Sequence, residues 1–400
     1  MIKSLATLLF TILATAVHLP AAAQKPESRA EAVKIVADMR RLVMPGAIER
    51  VEAVRIGGID QWISVRGVDR RNPVLLMLHG GPGYVSMPTS WYFQRGWEDF
   101  FTVVQWDQRG AGKTYAANDP AVVAPTMKRA RMVADTEEMV QWLRKEFGKE
   151  RIFVLGHSWG SSLGIELASK HPQWLHAYIG MGQATNGPEG ERRGLRFALD
   201  AARRDNNAKA VQELESLGPY AAPGRPIVLK DLYLQRKWLG YYGGAVHGRK
   251  DFAHEGAAAR LAPEYTDADL SAMWKGNEFS QEHLLDEVVA TDFSVHKRFD
   301  CPIIVFNGRY DYNVSSSVTA EWFETVKAPH KKLVWFEHSG HEMFNEEPGK
   351  MLDALLRHVR PIAEKAGDVA LEVSPPAPIE RAARSPGRYR PAKSRPFETA

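Results

Sequence analysis

Between residues 73 and 336 short apolar runs keep returning, separated by stretches that are helical in pattern or rich in glycine and charge. The runs are PVLLML (Pro73–Leu78), FTVVQW (Phe101–Trp106), RIFVL (Arg151–Leu155), AYIGM (Ala177–Met181), PIIVF (Pro302–Phe306) and LVWF (Leu333–Phe336). Unbroken apolar runs of this length suit strands buried on both faces, and intervening helices supply the crossovers that parallel strands need. Met127–Phe147 reads as such a helix, apolar at Met132, Met139, Val140 and Leu143 and stopped by Gly148, and Ser161–Ser169 reads as another. The chain is therefore predicted to be α/β, with a mostly parallel central sheet and helices on both faces. Val51–Ile56 and Gln61–Arg66, flanking Gly57-Gly58-Ile59-Asp60, predict a hairpin ahead of it.

The alternation stops at residues 183–292, a helix-forming stretch carrying Tyr233, Trp238, Tyr241, Tyr242 and Trp274. Because the sheet pattern resumes afterwards, the stretch reads as a helical cap, not an independent domain. An insertion after a parallel strand projects from the carboxyl edge of the sheet, where open α/β sheets bind ligands. The sheet domain is thereby divided into residues 24–182 and 293–365.

The two ends read differently. Residues 1–23 open with Lys3, continue through an apolar run and reach Ala21-Ala22-Ala23, the layout of a cleaved signal peptide. A periplasmic or secreted bacterial protein is expected, with no stable membrane insertion after cleavage. Residues 366–400 read as a disordered tail, rich in Pro and Arg over 374–400. The formal charge of +4 invites a nucleic-acid partner, but it is unevenly placed. Residues 374–400 hold six Lys/Arg against two Glu, and Lys3 adds one positive charge, which leaves −1 for residues 24–373. No nucleic-acid partner is expected. A single cysteine, Cys301, excludes an intrachain disulfide and a cysteine-based metal site.

Gly156-His157-Ser158-Trp159-Gly160 falls between the run RIFVL and a helix. A serine in a tight strand-to-helix turn has an exposed hydroxyl, and glycines flank it where a Cβ would collide with neighbouring elements. Such a hydroxyl needs a base, and the base needs an orienting carboxylate. Asp311 follows PIIVFN and His341 follows LVWF, so both belong at the sheet edge that carries Ser158, in the chain order serine, acid, histidine. His338 competes for the base; His341 is preferred because Ser339-Gly340 supplies a turn that swings it outward. Asp292 and Asp300 follow no strand and are weaker candidates for the acid. His79-Gly80-Gly81-Pro82-Gly83 ends PVLLML and offers backbone N–H groups to a developing oxyanion; Gly81 and Trp159 are the expected donors. Asp107-Gln108-Arg109-Gly110 is expected to brace the loops below. A metal reading of His338-x-x-His341-Glu342 lacks a helical i,i+4 pair and a third ligand, so no metal and no cofactor is expected.

HGGPG, DQRGAGKT, GHSWGSSLG, GRYD and HSGH, in this order and spacing, resemble the proline iminopeptidase family of serine peptidases with the α/β-hydrolase fold. The resemblance covers residues 50–182 and 290–360 and implies a triad of Ser158, Asp311 and His341, with Gly81 and Trp159 as the oxyanion hole. It also implies removal of an N-terminal residue, often proline, from short peptides through an acyl-enzyme, with cap carboxylates holding the free amine. The cap departs from the family: its Trp-Glu element is matched by Trp274-Lys275-Gly276, and Tyr312 follows Asp311 where some members have an acid. Glu278 is a cap carboxylate that could substitute, but its match is too weak for it to count among the expected site residues. Small peptides, amides or esters are the expected substrates, and an esterase or lactonase using the same triad is the alternative.

Overall fold

In the computed structural model, residues 25–370 are described; the leader of residues 1–23 and the run 374–400 lie outside them. The strands are β1 (Ile48–Ile56), β2 (Ile59–Gly67), β3 (Val74–Leu78), β4 (Thr102–Asp107), β5 (Ile152–His157), β6 (Leu175–Met181), β7 (Ile303–Gly308) and β8 (Lys331–Phe336). They form one sheet in the order β1-β2-β4-β3-β5-β6-β7-β8. β1 and β2 form the hairpin, β2 runs antiparallel to β4, and the remaining pairs are parallel.

Every residue of β3 to β7 is buried, which is why the sequence shows runs instead of alternation. The two-residue period is still present in the packing. Leu76, Leu78, Val154, Ile303 and Val305 face one apolar cluster, while Leu75, Met77, Phe153, Leu155, Ile304 and Phe306 face the other. The outer strand β8 is exposed at Lys331 and Lys332, charges that discourage further strand pairing.

The helices used below are α1 (Arg29–Arg40), α2 (Arg129–Phe147), α3 (Trp159–Lys170), α4 (Gly187–Arg204), α5 (Ala208–Glu215), α6 (Leu229–Tyr241), α7 (Ala253–Ala259), α8 (Asp267–Val289) and α9 (Ser316–Thr325). Met132, Met139, Val140 and Leu143 are the buried stripe of α2, and Gly148 closes it at φ 61°, donating to the carbonyls of Arg144 and Lys145. Helices α4 to α8 fall between β6 and β7, within the stretch predicted to be a cap. They have an apolar cluster of their own, with Ala198, Leu214, Trp238 and Leu239 at its centre.

Two features at the ends depart from expectation. Helix α1, which no motif announced, is fastened to the cap: Arg29 donates to the carbonyls of Arg260 (2.8 Å) and Tyr265 (2.6 Å), and Arg40 pairs with Glu264 at 2.7 Å. The tail assignment that began at residue 366 starts too early. Asp368 accepts from His176 at 2.8 Å and pairs with Lys149, so the polar side chain that looked like part of a solvated tail is held by two side chains of the body.

Candidate active site

β3 and β5 are neighbours, yet the chain visits β4, on the other flank of β3, between them. Loops leaving the carboxyl ends of these strands diverge and open a crevice. Ser158 stands there as the N-cap of α3, with φ 53° and ψ −118°. A non-glycine residue held in such a region costs on the order of 1–3 kcal/mol, tolerated where surrounding structure over-determines it. Here α3 crosses tightly over β3: a Cβ on Gly160 would lie 2.1 Å from the Leu78 carbonyl oxygen.

His341 and Asp311, from the loops after β8 and β7, meet with Nδ1 and Oδ2 2.8 Å apart, both side chains buried. The second oxygen of Asp311 accepts the Val314 N–H at 2.8 Å. Burial opposes a charged imidazole, but the charge and hydrogen bond of Asp311 outweigh it, with Glu342 adding, and the His341 pKa lies above its ordinary 6.5. Gly182 is the floor under this pair. At φ 52°, a Cβ there would lie 2.9 Å from His341 Cε1 and 3.3 Å from Asp311 Oδ2. His338, Asp292 and Asp300 are exposed and line no part of the cavity that Ser158 and His341 share.

That cavity, of about 400 Å³, is also lined by Gly81 and Trp159. Trp159 opens α3, so its N–H has no carbonyl partner within the helix. Gln108 fastens the two loops together: its backbone N–H donates to His79 Nε2 (3.2 Å), its side-chain amide donates to the His79 carbonyl (3.2 Å), and its Oε1 accepts from Trp159 Nε1 (3.3 Å). Burial pushes the His79 pKa down to about 4, which keeps Nε2 an acceptor. Arg109 instead turns to Asp135 (2.7 Å) and the Gly57 carbonyl (2.7 Å), away from the cavity. His157, held neutral chiefly by burial, donates from Nε2 to the His341 carbonyl at 3.0 Å.

The cavity's ceiling belongs to the cap. Leu232, Leu285, Val288 and Val289, with Val314 and Val318 from the sheet domain, make much of it apolar. Two carboxylates line it. Glu191 is occupied, bonded to Arg236 through both oxygens and to the Tyr220 hydroxyl. Glu342 is not: among the described residues no Lys or Arg pairs with it, and its side-chain partner is the Asn345 amide at 3.0 Å. Burial pushes its pKa up to about 7; Glu255 and Glu346 add to the shift, and His341 and Asn345 oppose it. Glu278 is exposed and lines no part of the cavity, whereas the unpaired acid Glu342 directly follows His341. Its position directly after His341 was the available signal, read only as part of a metal motif. Among the described residues no cluster of His, Cys, Asp and Glu could hold a metal ion.

The alpha/beta hydrolase fold family matches residues 73–348. A Bacillus subtilis (strain 168) protein named "Probable aminopeptidase YbaC" is 29% identical over 317 residues, 78% of this chain and 97% of that one. The proline iminopeptidase of Heyndrickxia coagulans is 25% identical over 290 residues, covering 70% and 87%. Among solved structures, the proline iminopeptidase of Mycobacterium smegmatis superposes with a TM-score of 0.52 at 21% identity, over 79% of this chain and 100% of that one. A 2-hydroxy-6-oxo-6-phenylhexa-2,4-dienoate hydrolase from a Rhodococcus species does so at 0.51 and 20% identity, over 78% and 99%. At these identities the two structures show a shared fold, and their reactions differ.

Proposed function

Because this chain belongs to the alpha/beta hydrolase fold family, we propose that it is a serine hydrolase acting as an aminopeptidase on short peptides. Ser158 Oγ attacks the carbonyl carbon of the scissile amide while His341 Nε2 takes its proton. Asp311 holds Nδ1–H, fixes the tautomer and stabilises the imidazolium that forms. The tetrahedral oxyanion is met by the N–H groups of Gly81 and Trp159. His341 then gives its proton to the leaving amine as the C–N bond breaks. The same imidazole then takes a proton from water as its oxygen adds to the acyl carbon, and the imidazolium gives that proton to Ser158 Oγ as the acyl–oxygen bond breaks.

The observation that carries the aminopeptidase reading is Glu342. A carboxyl group buried beside the reacting atoms with no cation of its own is a costly arrangement. A substrate ammonium next to the scissile carbonyl would complete it, and an ester without an amine would leave it uncompensated. The names of the relatives support the same reading. The apolar ceiling then receives the side chain of the N-terminal residue, and nothing in its lining demands proline.

Turnover of aminoacyl amides, the same amides N-acylated, and simple esters tests the proposal. Free-amine amides should be cleaved and N-acylated ones should lose at least about tenfold in kcat/KM. A preference for esters that ignores the amine would replace the aminopeptidase with the esterase or lactonase alternative. The export proposed from residues 1–23 is checked by N-terminal sequencing of protein recovered from the cell envelope or medium, which should begin at Gln24.

A further inference from the structure

Two large aromatic side chains of the cavity lining, Tyr233 on α6 and Trp274 on α8, are each 47% exposed, which places the mouth of the cavity beside them. Trp274 packs inward against Tyr84, ring centroids 6.3 Å apart. From this rim a chain of side-chain hydrogen bonds runs down to the loop after β3. The Tyr233 hydroxyl donates to Gln281 Oε1 at 2.9 Å, Gln281 Nε2 donates to Asn277 Oδ1 at 3.0 Å, and Asn277 Nδ2 donates to the Pro82 carbonyl at 3.0 Å. Every donor points the same way, from solvent towards the residue next to Gly81. The inner end fits tightly: a Cβ on Gly83 would lie 2.7 Å from Ser280 Cβ and 3.0 Å from Asn277 Cα. Ser280 also donates to the Gly110 carbonyl at 2.9 Å. Helix α8 therefore rests on the backbone that offers the oxyanion donor, and the outermost link of the chain is the one open to water.

A hydrogen bond that competes with water is weak and becomes stronger when an apolar group covers it. We infer that Tyr233, Gln281 and Asn277 are positioning residues: an apolar side chain on the leaving side of the scissile bond, seated on the Tyr233 and Trp274 rings, dries the outer link and so fixes the loop that presents the Gly81 N–H. The inference rests on the serine-hydrolase reading above and adds the substrate class, peptides with a bulky apolar residue directly after the cleaved bond. Binding energy gained at the rim is then expressed in the rate of acylation more than in affinity.

Two pairs of substrates with one common acyl residue test this, a methylamide against a 2-phenylethylamide and a methyl ester against a 2-phenylethyl ester. The quantity measured is the single-turnover rate of leaving-group release at saturation, together with the half-saturating concentration. In the wild type the phenylethyl member should react about tenfold faster than the methyl member, a fraction of what one oxyanion donor is worth. Tyr233→Phe removes one hydroxyl without changing shape, and Gln281→Glu keeps the acceptor for Tyr233 but removes the donor to Asn277. Each should bring the ratio to within about twofold while the half-saturating concentrations move less. A wild-type ratio near one, a ratio that survives both variants, or a loss confined to half-saturation would overturn the inference. If no amide is cleaved but the ester ratio collapses in both variants, the relay stands and only the aminopeptidase reading falls.

Discussion

The loops at the carboxyl edge of the sheet and the cap above them build one cavity by opposite means. In the loops, each candidate residue is held by backbone geometry: a serine at positive φ, a glycine where a Cβ would strike His341, a turn that tolerates no bulk against Leu78. In the cap, the contributions are side chains on helix faces, chiefly Trp274, Asn277, Gln281, Leu285 and Val288 of α8, with Leu232 and Tyr233 of α6 and Glu191 of α4. Backbone-held positions accept few residue types and so form recognisable strings. A helix face accepts many, and which face meets the body depends on packing that spacing alone does not reveal. Chemistry should therefore fail abruptly when the loops are changed, whereas changes to the cap should alter selectivity and stability by degrees.

The sharpest break in that contrast is Ser158→Ala, expected to lower kcat/KM by at least about 10³-fold and to abolish labelling by a serine-reactive phosphonate. Wild-type protein that fails to label would remove the nucleophile from Ser158 altogether. Next is Gly182→Ala, which adds one methyl group against the His341–Asp311 pair. A displacement of about 1 Å there should cost about 100-fold in kcat with KM little changed, and a kcat within twofold of wild type would refute the floor assigned to Gly182.

Glu342→Gln comes third and carries two signatures. The kcat/KM for free-amine amides should fall about 10- to 100-fold, with N-acylated amides nearly unaffected. Stability should move the other way. A carboxyl group with its folded pKa raised from 4.5 to about 7 is favoured in its protonated form, so the native state loses stability as pH rises from about 4.5 to 7. The penalty at pH 8 is at most about 3 kcal/mol, and thermal melting of Glu342→Gln should exceed wild type at pH 8 and match it near pH 4. Equal melting at both would mean that the side chain is not buried in solution. The smallest effect belongs to the cap. Thr266 accepts the Asp269 N–H and Asp269 accepts the Thr266 N–H, a capping box that starts α8. Thr266→Ala should cost about 1 kcal/mol in denaturant unfolding and leave the Ser158 labelling rate unchanged.

The same contrast accounts for what could be read from the sequence. β3 to β7 announce themselves because all their residues are buried, and the order Ser158, Asp311, His341 follows from three strand ends. Gln108 was visible as part of a charged bracing motif, but its bridge between His79 and Trp159 needs the proximity of β3 and α3. In Trp274-Lys275-Gly276 only the glycine has a structural reason: a Cβ on Gly276 would lie 3.0 Å from the Gly110 carbonyl oxygen and from Tyr115 Cβ, while Lys275, which stands where the acid was expected, is exposed. A small residue lets α8 settle on that loop. Asp368 was misplaced because a lone charge among polar neighbours does not show that Lys149 and His176 await it.

Helix α1 touches no part of the cavity, yet Arg29 reaches carbonyl groups of the cap 231 and 236 residues further along the chain. An affinity tag, a protease nick or a trimmed boundary among residues 29–40 would therefore act on the cap as well as on the sheet, where the Arg40 carbonyl accepts from Arg66 at 2.7 Å. Anyone preparing this protein for kinetics should leave that helix intact and attach handles beyond Ala370, or measurements of selectivity will report the handling of the N-terminal region.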